Sequence, residues 1–186
     1  MIKHVRFPLL VSTEPDEYLV DTSAWLNIDS CPKREDTWAL IFSLVREGRL
    51  FTCAQVIEEL HDDGIYLLRL KEFEEALRSG DRTDVEYLLE VGKVTRNCPS
   101  MSGARGRKTP ADPFVVALAK LQKYVVVADE STKRPNRKIP GVCKELGIKC
   151  RTLSEFIEVE VTTRMNEERE KQKGRLPSEG FNAPQS

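Results

Sequence analysis

Acidic side chains at the ends of apolar runs are the residues of this chain best placed to do chemistry. Asp21 follows "YLV", Asp129 closely follows "YVVV", Asp112 precedes Pro113 and the apolar "FVVALA", and Glu58 and Glu59 interrupt "AQVIEEL". Carboxylates gathered without His or Cys are hard oxygen donors, and three or four of them suit Mg²⁺ or Mn²⁺ far better than zinc. Each acid alone also has a structural reading: Asp112 as a helix N-cap, Asp21 as a turn residue before Thr22 and Ser23, and the two glutamates as the solvated side of a helix. The combination is harder to dismiss, because unrelated junctions of strand and helix each present an acid beside a buried segment.

Positioning these residues requires a sheet. "EYLVD", "RLFTC", "KYVVVAD" and "IKCR" are short and apolar, as strands buried on both faces must be. Between them lie segments of helical spacing: Trp38, Ile41, Phe42 and Val45, stopped by Gly48; "AQVIEEL"; Tyr66, Leu70, Phe73 and Leu77 in one run up to Gly80; "TDVEYLLEVG"; and "IPGVCKEL", with Gly147 past its end. Pro113 suits the first position of a helix capped by Asp112. Thr152 and Glu155 form a capping box that opens a last helix. Strands alternating with helices predict an α/β fold, a three-layer sandwich with a central parallel sheet. In such a sheet ligands collect at the carboxyl ends of the strands. Asp21 and Asp129 are expected there; Asp112, at the start of the helix feeding the Asp129 strand, is expected at the opposite edge on a simple reading, unless that helix begins higher beside the sheet.

The chain divides into a leader (1–16), the α/β domain (17–160) and a charged tail (161–186) that loses apolar periodicity from about Glu167 and is expected to be disordered. With 186 residues, 40% hydrophobic and 32% charged, the length suits one core, and the formal net charge of -1 gives no overall basic footprint for nucleic acid. Five cysteines, with no C-x-x-C pair, and two histidines argue for reduced thiols rather than a zinc site. No stretch approaches the roughly 20 apolar residues of a membrane span, so a soluble, cytoplasmic protein is expected. Walker, G-x-G-x-x-G and G-x-S-x-G motifs are absent, so P-loop, dinucleotide and α/β-hydrolase chemistry lack support. A receiver-like phosphoacceptor, suggested by "VVVADE", would carry its acidic pair after the first strand instead.

Over about residues 17 to 158 the chain resembles the PIN-domain ribonucleases (the PilT N-terminus superfamily), which include the VapC-type toxins. "YLVDTSAWL" is similar to the first motif of that family, a strand followed by D-[ST]-[SN]. "VIEEL" resembles the second, in which the functional acid directly precedes Leu and so maps to Glu59. "PADPFVVALA" matches the A-D-x-x-[IV]-[IV]-A-x-A helix start, and "YVVVADEST" resembles the fourth motif, V-V-[TS]-x-[DE]. Here Val127 replaces the usual Thr or Ser, which leaves the register open between Asp129 and Glu130; a gapless alignment selects Asp129.

The resemblance implies a metal-dependent endoribonuclease cleaving RNA phosphodiester bonds, in some relatives the toxin of a toxin–antitoxin pair. Asp21, Glu59, Asp112 and Asp129 would be its catalytic and metal-binding acids, Mg²⁺ or Mn²⁺ its cofactor, and Thr22 and Ser23 the donors that orient Asp21. RNA would approach over two basic loops flanking the acids: Arg105, Arg107 and Lys108 before Asp112, and Lys133, Arg134, Arg137 and Lys138 after Asp129. Implied partners are an RNA substrate, an antitoxin protein and a second copy of the chain meeting through the apolar helices of residues 65–91. The alternative is a non-catalytic PIN-fold RNA-binding or scaffold protein, which the Val127 departure favours and the retained Asp21 and Asp112 oppose.

Overall fold

The computed structural model describes residues 15–63, 67–79, 84–101, 110–130 and 138–173. Five strands form one parallel sheet: β1 (Tyr18–Val20), β2 (Leu50–Cys53), β3 (Arg78–Ser79), β4 (Val125–Val127) and β5 (Cys150–Arg151), in the spatial order β3-β2-β1-β4-β5. Around them run α1 (Thr22–Asn27), α2 (Arg34–Arg46), α3 (Ala54–Asp63), α4 (Leu67–Leu70), α5 (Glu74–Leu77), α6 (Val85–Asn97), α7 (Asp112–Gln122), α8 (Ile139–Leu146) and α9 (Leu153–Lys173). This is the expected three-layer α/β architecture.

The central pair explains why two three-residue strands suffice. Every residue of β1 and β4 is buried, and Tyr18, Leu19 and Val20 lie in register with Val125, Val126 and Val127. β-Branched residues fit such a doubly covered position because their stiff side chains pack well on the pleat. Thr52, fully buried in β2, donates its hydroxyl to the Val20 carbonyl at 2.8 Å and accepts the Trp25 indole N–H at 3.4 Å, so this polar group binds β2, β1 and α1 together. A stack of aromatic rings, Trp25–Trp38–Phe42–Phe73, continues the core outward from α1 through α2, with centroid spacings of 6.2, 5.6 and 4.7 Å.

From β1 the chain builds β2 and β3 to one side, then crosses to build β4 and β5 on the other. The reversal of strand order therefore falls between β1 and β4, and the crevice at their carboxyl ends is where an open parallel sheet gathers ligands.

Three local expectations need correction. The single helix expected up to Gly80 is broken into α4, a 3₁₀ turn (Lys71–Phe73), α5 and β3, because Arg78 and Ser79 pair with Thr52 and Cys53 at the sheet edge. A ladder with β2 satisfies those backbone groups, and tertiary pairing overrides the helical spacing. Asp112 does not cap α7: it is the first residue of the helix, Ala111 occupies the N-cap, and no side chain caps there. Last, the charged segment expected to leave the domain at residue 161 continues as helix to Lys173.

The capping box of α9 forms as expected, with Glu155 accepting from the Thr152 amide at 2.8 Å and Thr152 accepting from the Glu155 amide at 3.2 Å. What holds the helix to the sheet is Glu160, 1% exposed. Its carboxylate accepts from the Tyr18 hydroxyl at 2.6 Å and from two Arg49 nitrogens at 2.8 and 3.1 Å. Burial and the adjacent Glu160 push the Tyr18 hydroxyl well above its ordinary value, which keeps it a donor. One turn further on, Arg164 bonds Glu47 at 2.7 Å. These anchors hold α9 through Arg164, and beyond it the helix runs on exposed.

Candidate active site

The turn from β1 into α1 presents Asp21. Its amide continues the sheet by donating to the Val127 carbonyl at 2.9 Å, while its side chain caps α1, accepting from the Ser23 amide at 3.0 Å and the Ser23 hydroxyl at 2.7 Å. Capping explains the conformation but leaves one carboxylate oxygen, Oδ1, outside these bonds. Asp21 is 3% exposed, and its carboxyl is pushed up to about 6: burial is the main cause, the Ser23 hydrogen bonds oppose it, and the charges of Glu130 and Glu59 add to it.

Asp112 reaches the same edge. A helix that feeds directly into a parallel strand runs antiparallel to it, so its first residue lies where the strands end. The tight link supports this: Lys123 adopts a left-handed conformation (φ 62) and the Tyr124 amide returns to the Ala119 carbonyl at 3.1 Å. The opposite-edge expectation is therefore corrected. Asp112 is partly exposed, and its carboxyl is pushed up to about 7 by burial first and then by the charges of Asp21, Glu130 and Glu59, with Lys138 opposing. No hydrogen bond to its carboxylate occurs among the described residues.

Glu59, in the middle of α3, joins the two. One carboxylate oxygen accepts the Thr22 hydroxyl, and the other accepts the Ala111 amide at 2.8 Å, directly before Asp112. Thr22, expected to orient Asp21, thus orients Glu59, and Ser23 orients Asp21.

After β4 the acids diverge. Asp129 turns toward α1: Asn27 donates to its carboxylate at 2.9 Å and to its carbonyl at 3.5 Å, and its amide donates to the Ser23 hydroxyl at 3.0 Å. Glu130 turns the other way, accepting Lys138 at 2.7 Å and the Ile139 amide, at the start of α8, at 2.8 Å. Glu130, not Asp129, is the residue whose charge raises both Asp21 and Asp112. Lys138, assigned from sequence to the RNA path, thus forms an ion pair with its side chain 44% exposed. Arg105, Arg107, Lys108, Lys133, Arg134 and Arg137 lie outside the described residues. Asn27 carried no signal in the sequence, since only the fold brings it against Asp129; Glu130 was visible as the other register of the fourth motif.

Together these elements bring Asp21, Glu59 and Asp112 to the β1/β4 crevice, with Glu130 near enough for its charge to raise Asp21 and Asp112 and Asp129 turned toward Asn27. Crowded carboxylates repel, and two of these are held well above their ordinary range. Among the described residues no three Asp, Glu, His or Cys side chains already converge as a metal cage. The fit to a hard divalent cation rests on donor chemistry and charge: oxygen donors, one acid deeply buried, and, among the described residues, more negative charge than Lys138 balances. The five cysteines are free thiols, and burial pushes the Cys53 thiol, beside the site, up to about 12. Among the described residues no helix is long and apolar enough to cross a membrane.

A family model described as "Domain of unknown function (DUF4411)" matches residues 18–164, which takes in every acid of the crevice. No curated protein matches the chain.

Proposed function

We propose, for a chain that belongs to the DUF4411 family, that the acids at its β1/β4 crevice make it a metal-dependent ribonuclease of PIN type, using Mg²⁺ or Mn²⁺. The observation that carries this reading is the meeting of Asp21, Glu59 and Asp112, from three separate elements, where the strand order reverses. The structural explanation for Asp21 does not extend to Asp112: Asp21 caps a helix, Asp112 does not, and their charges are mutually unfavourable.

In this reading Asp21 and Asp112 hold the cation. Bound there, it would supply Lewis-acid polarisation of a phosphodiester and a hydroxide at neutral pH. Ser23 keeps the Asp21 carboxylate turned by gripping one of its oxygens. Glu59 ties the β1 turn to the start of α7 and so sets the separation of the two aspartates. Glu130 and Asp129 compete for the fourth role; the electrostatic coupling favours Glu130, and the sequence motif favours Asp129. Lys138, ion-paired at the rim, is the nearest described cation for a substrate phosphate. A cytoplasmic location, an RNA path over the two basic loops and an antitoxin partner belong to the same proposal.

A second reading, a PIN-fold scaffold or RNA-binding protein without catalysis, draws on the hydrogen bonds already made by both oxygens of Glu59 and of Glu130. These acids then serve as ties between elements. Incubating the protein with a mixed RNA pool, with Mg²⁺, Mn²⁺ or EDTA, separates the two. The ribonuclease reading expects cleavage that EDTA abolishes and that Asp21→Asn lowers by at least about 100-fold. RNA retention without cleavage in either metal would leave the scaffold reading standing.

A further inference from the structure

Two of the five thiols meet outside the cluster of acids. Cys143 lies on the buried face of α8 with Ile139 and Val142, closed to solvent. Cys150 opens β5, half-buried and in register with Val126. Side chains alternate across a strand, and the Arg151 guanidinium goes to the Tyr18 hydroxyl at 2.9 Å, so Cys150 points to the other face of the sheet. On that face its thiol shares a side-chain hydrogen bond with the thiol of Cys143.

The connection between them is short and held at both ends. α8 stops at Gly147 in a left-handed conformation (φ 69), and the Ile148 amide returns to the Cys143 carbonyl at 2.8 Å. The Val126 amide takes the Lys149 carbonyl at 2.9 Å and the Ala128 amide the Arg151 carbonyl at 3.0 Å, which fixes the backbone on either side of Cys150. Hydrogen-bonded cysteines on a helix and its neighbouring strand can join through side-chain rotation, without a change of fold.

The two sulfurs are also unequal. The hydrogen bond from Cys143 pulls the Cys150 thiol below its ordinary value, against burial and the charges of Asp21, Glu155 and Glu130. The same bond, with burial behind it, drives Cys143 up. Burial raises Cys31, Cys53 and Cys98 as well, so Cys150 alone of the five is favoured as a thiolate. A half-buried sulfur that ionises beside a shielded one suits an attacking and a resolving cysteine.

We infer that Cys143 and Cys150 form a reversible dithiol–disulfide site that reacts with hydroperoxides. The Cys150 thiolate attacks one peroxide oxygen; an S–O bond forms, the O–O bond breaks, and hydroxide leaves and takes up the proton shed by Cys150. Cys143 then attacks the Cys150 sulfenic sulfur; the S–S bond forms, and the sulfenic hydroxyl leaves with the Cys143 proton as water. Two thiols and one peroxide give one disulfide and two waters, the sulfurs losing the two electrons that the peroxide gains. The bond ties α8 to the edge of the sheet. The step uses none of the crevice acids and so does not depend on the nuclease reading.

Treating the reduced, native full chain with hydrogen peroxide in the presence of chelator, then counting thiols after denaturation, tests it. The count should fall from five to three, and dithiothreitol should restore all five. Digestion without reductant should link the peptides that hold Cys143 and Cys150. Cys143→Ala should leave Cys150 as a sulfenic acid that dimedone traps, and Cys150→Ala should slow peroxide consumption by at least about tenfold. The wild-type count and linkage decide the pairing however well the variants fold. Five thiols remaining, a bridge through Cys31, Cys53 or Cys98, or a link that forms only after denaturation would overturn the site. A folded Cys143→Ala without the dimedone label on Cys150 would overturn the order of attack.

Discussion

Ser23 holds Asp21 twice, through its amide at 3.0 Å and its hydroxyl at 2.7 Å, and with that same hydroxyl it accepts the amide of Asp129 at 3.0 Å. One side chain thus couples the ends of β1 and β4 across the reversal of strand order. Ser23→Ala leaves the amide bond to Asp21 but removes the hydroxyl and strands the Asp129 amide. The expected result is a loss of about 1–2 kcal/mol in denaturant unfolding, and metal affinity or metal-dependent cleavage lower by about 10–100-fold. A variant equal to wild type in both would show that Asp21 needs no such orientation.

Asp112→Asn removes one charge from the crevice and, because Asp112 caps nothing, disturbs no cap. In chelator the variant should be more stable than wild type at neutral pH, by on the order of 1–2 kcal/mol. The sign follows from a carboxyl held near 7 in the fold against 3.8 when unfolded. Such a group contributes its stability fully below 3.8 and loses it as pH rises through about 7. The advantage of the variant should therefore grow between about pH 4 and pH 7 and level off above. Melting curves across that range check it; a gap that narrows with rising pH would contradict the electrostatic account. Adding Mg²⁺ or Mn²⁺ should raise the melting temperature of wild type more than that of the variant.

Glu130 and Asp129 can be told apart by neutral substitutions. Glu130→Gln should impair metal-dependent cleavage more than Asp129→Asn, because Glu130 is the one coupled to Asp21 and Asp112. Asp129→Asn mainly alters the contact with Asn27. Calorimetric titration with Mn²⁺ gives a readout independent of turnover. Asp129→Asn as the more damaging change would restore the gapless motif alignment.

Glu160→Ala should be among the most destabilising changes outside the crevice, about 3 kcal/mol, since it takes the closest carboxylate from the half-buried Arg49 and the acceptor from the buried Tyr18 hydroxyl. Chemical denaturation measures it directly. Removing residues 168–186 should cost far less, because the exposed end of α9 carries none of the anchoring bonds to Tyr18, Arg49 and Glu47.

The sequence by itself determined the central strands and their helices. Strands buried on both faces must be apolar throughout, and "YLV" and "VVV" carry that signature locally. The stops at Gly48 and Gly147, both at positive φ, and the Thr152–Glu155 box are likewise local. Asp21 as a residue at a strand end was legible for the same reason. Only the tertiary structure decided the rest. The direction of α7 brought Asp112 to the edge that holds Asp21, and the hydrogen bonds of Glu59 to Thr22 and Ala111 closed the group. Pairing with β2 turned Arg78 and Ser79 from helix to strand, and Glu160 and Arg164 tied α9 to the domain through Arg49 and Glu47. Asp129 and Glu130 differ in role because Asn27 captures one and Lys138 with Ile139 the other. Apart from the nearby contacts of Glu130, the physical reason is common: partners 26 to 117 residues apart in the chain, met only once the sheet has formed, leave no mark on the local pattern that announces a strand or a helix.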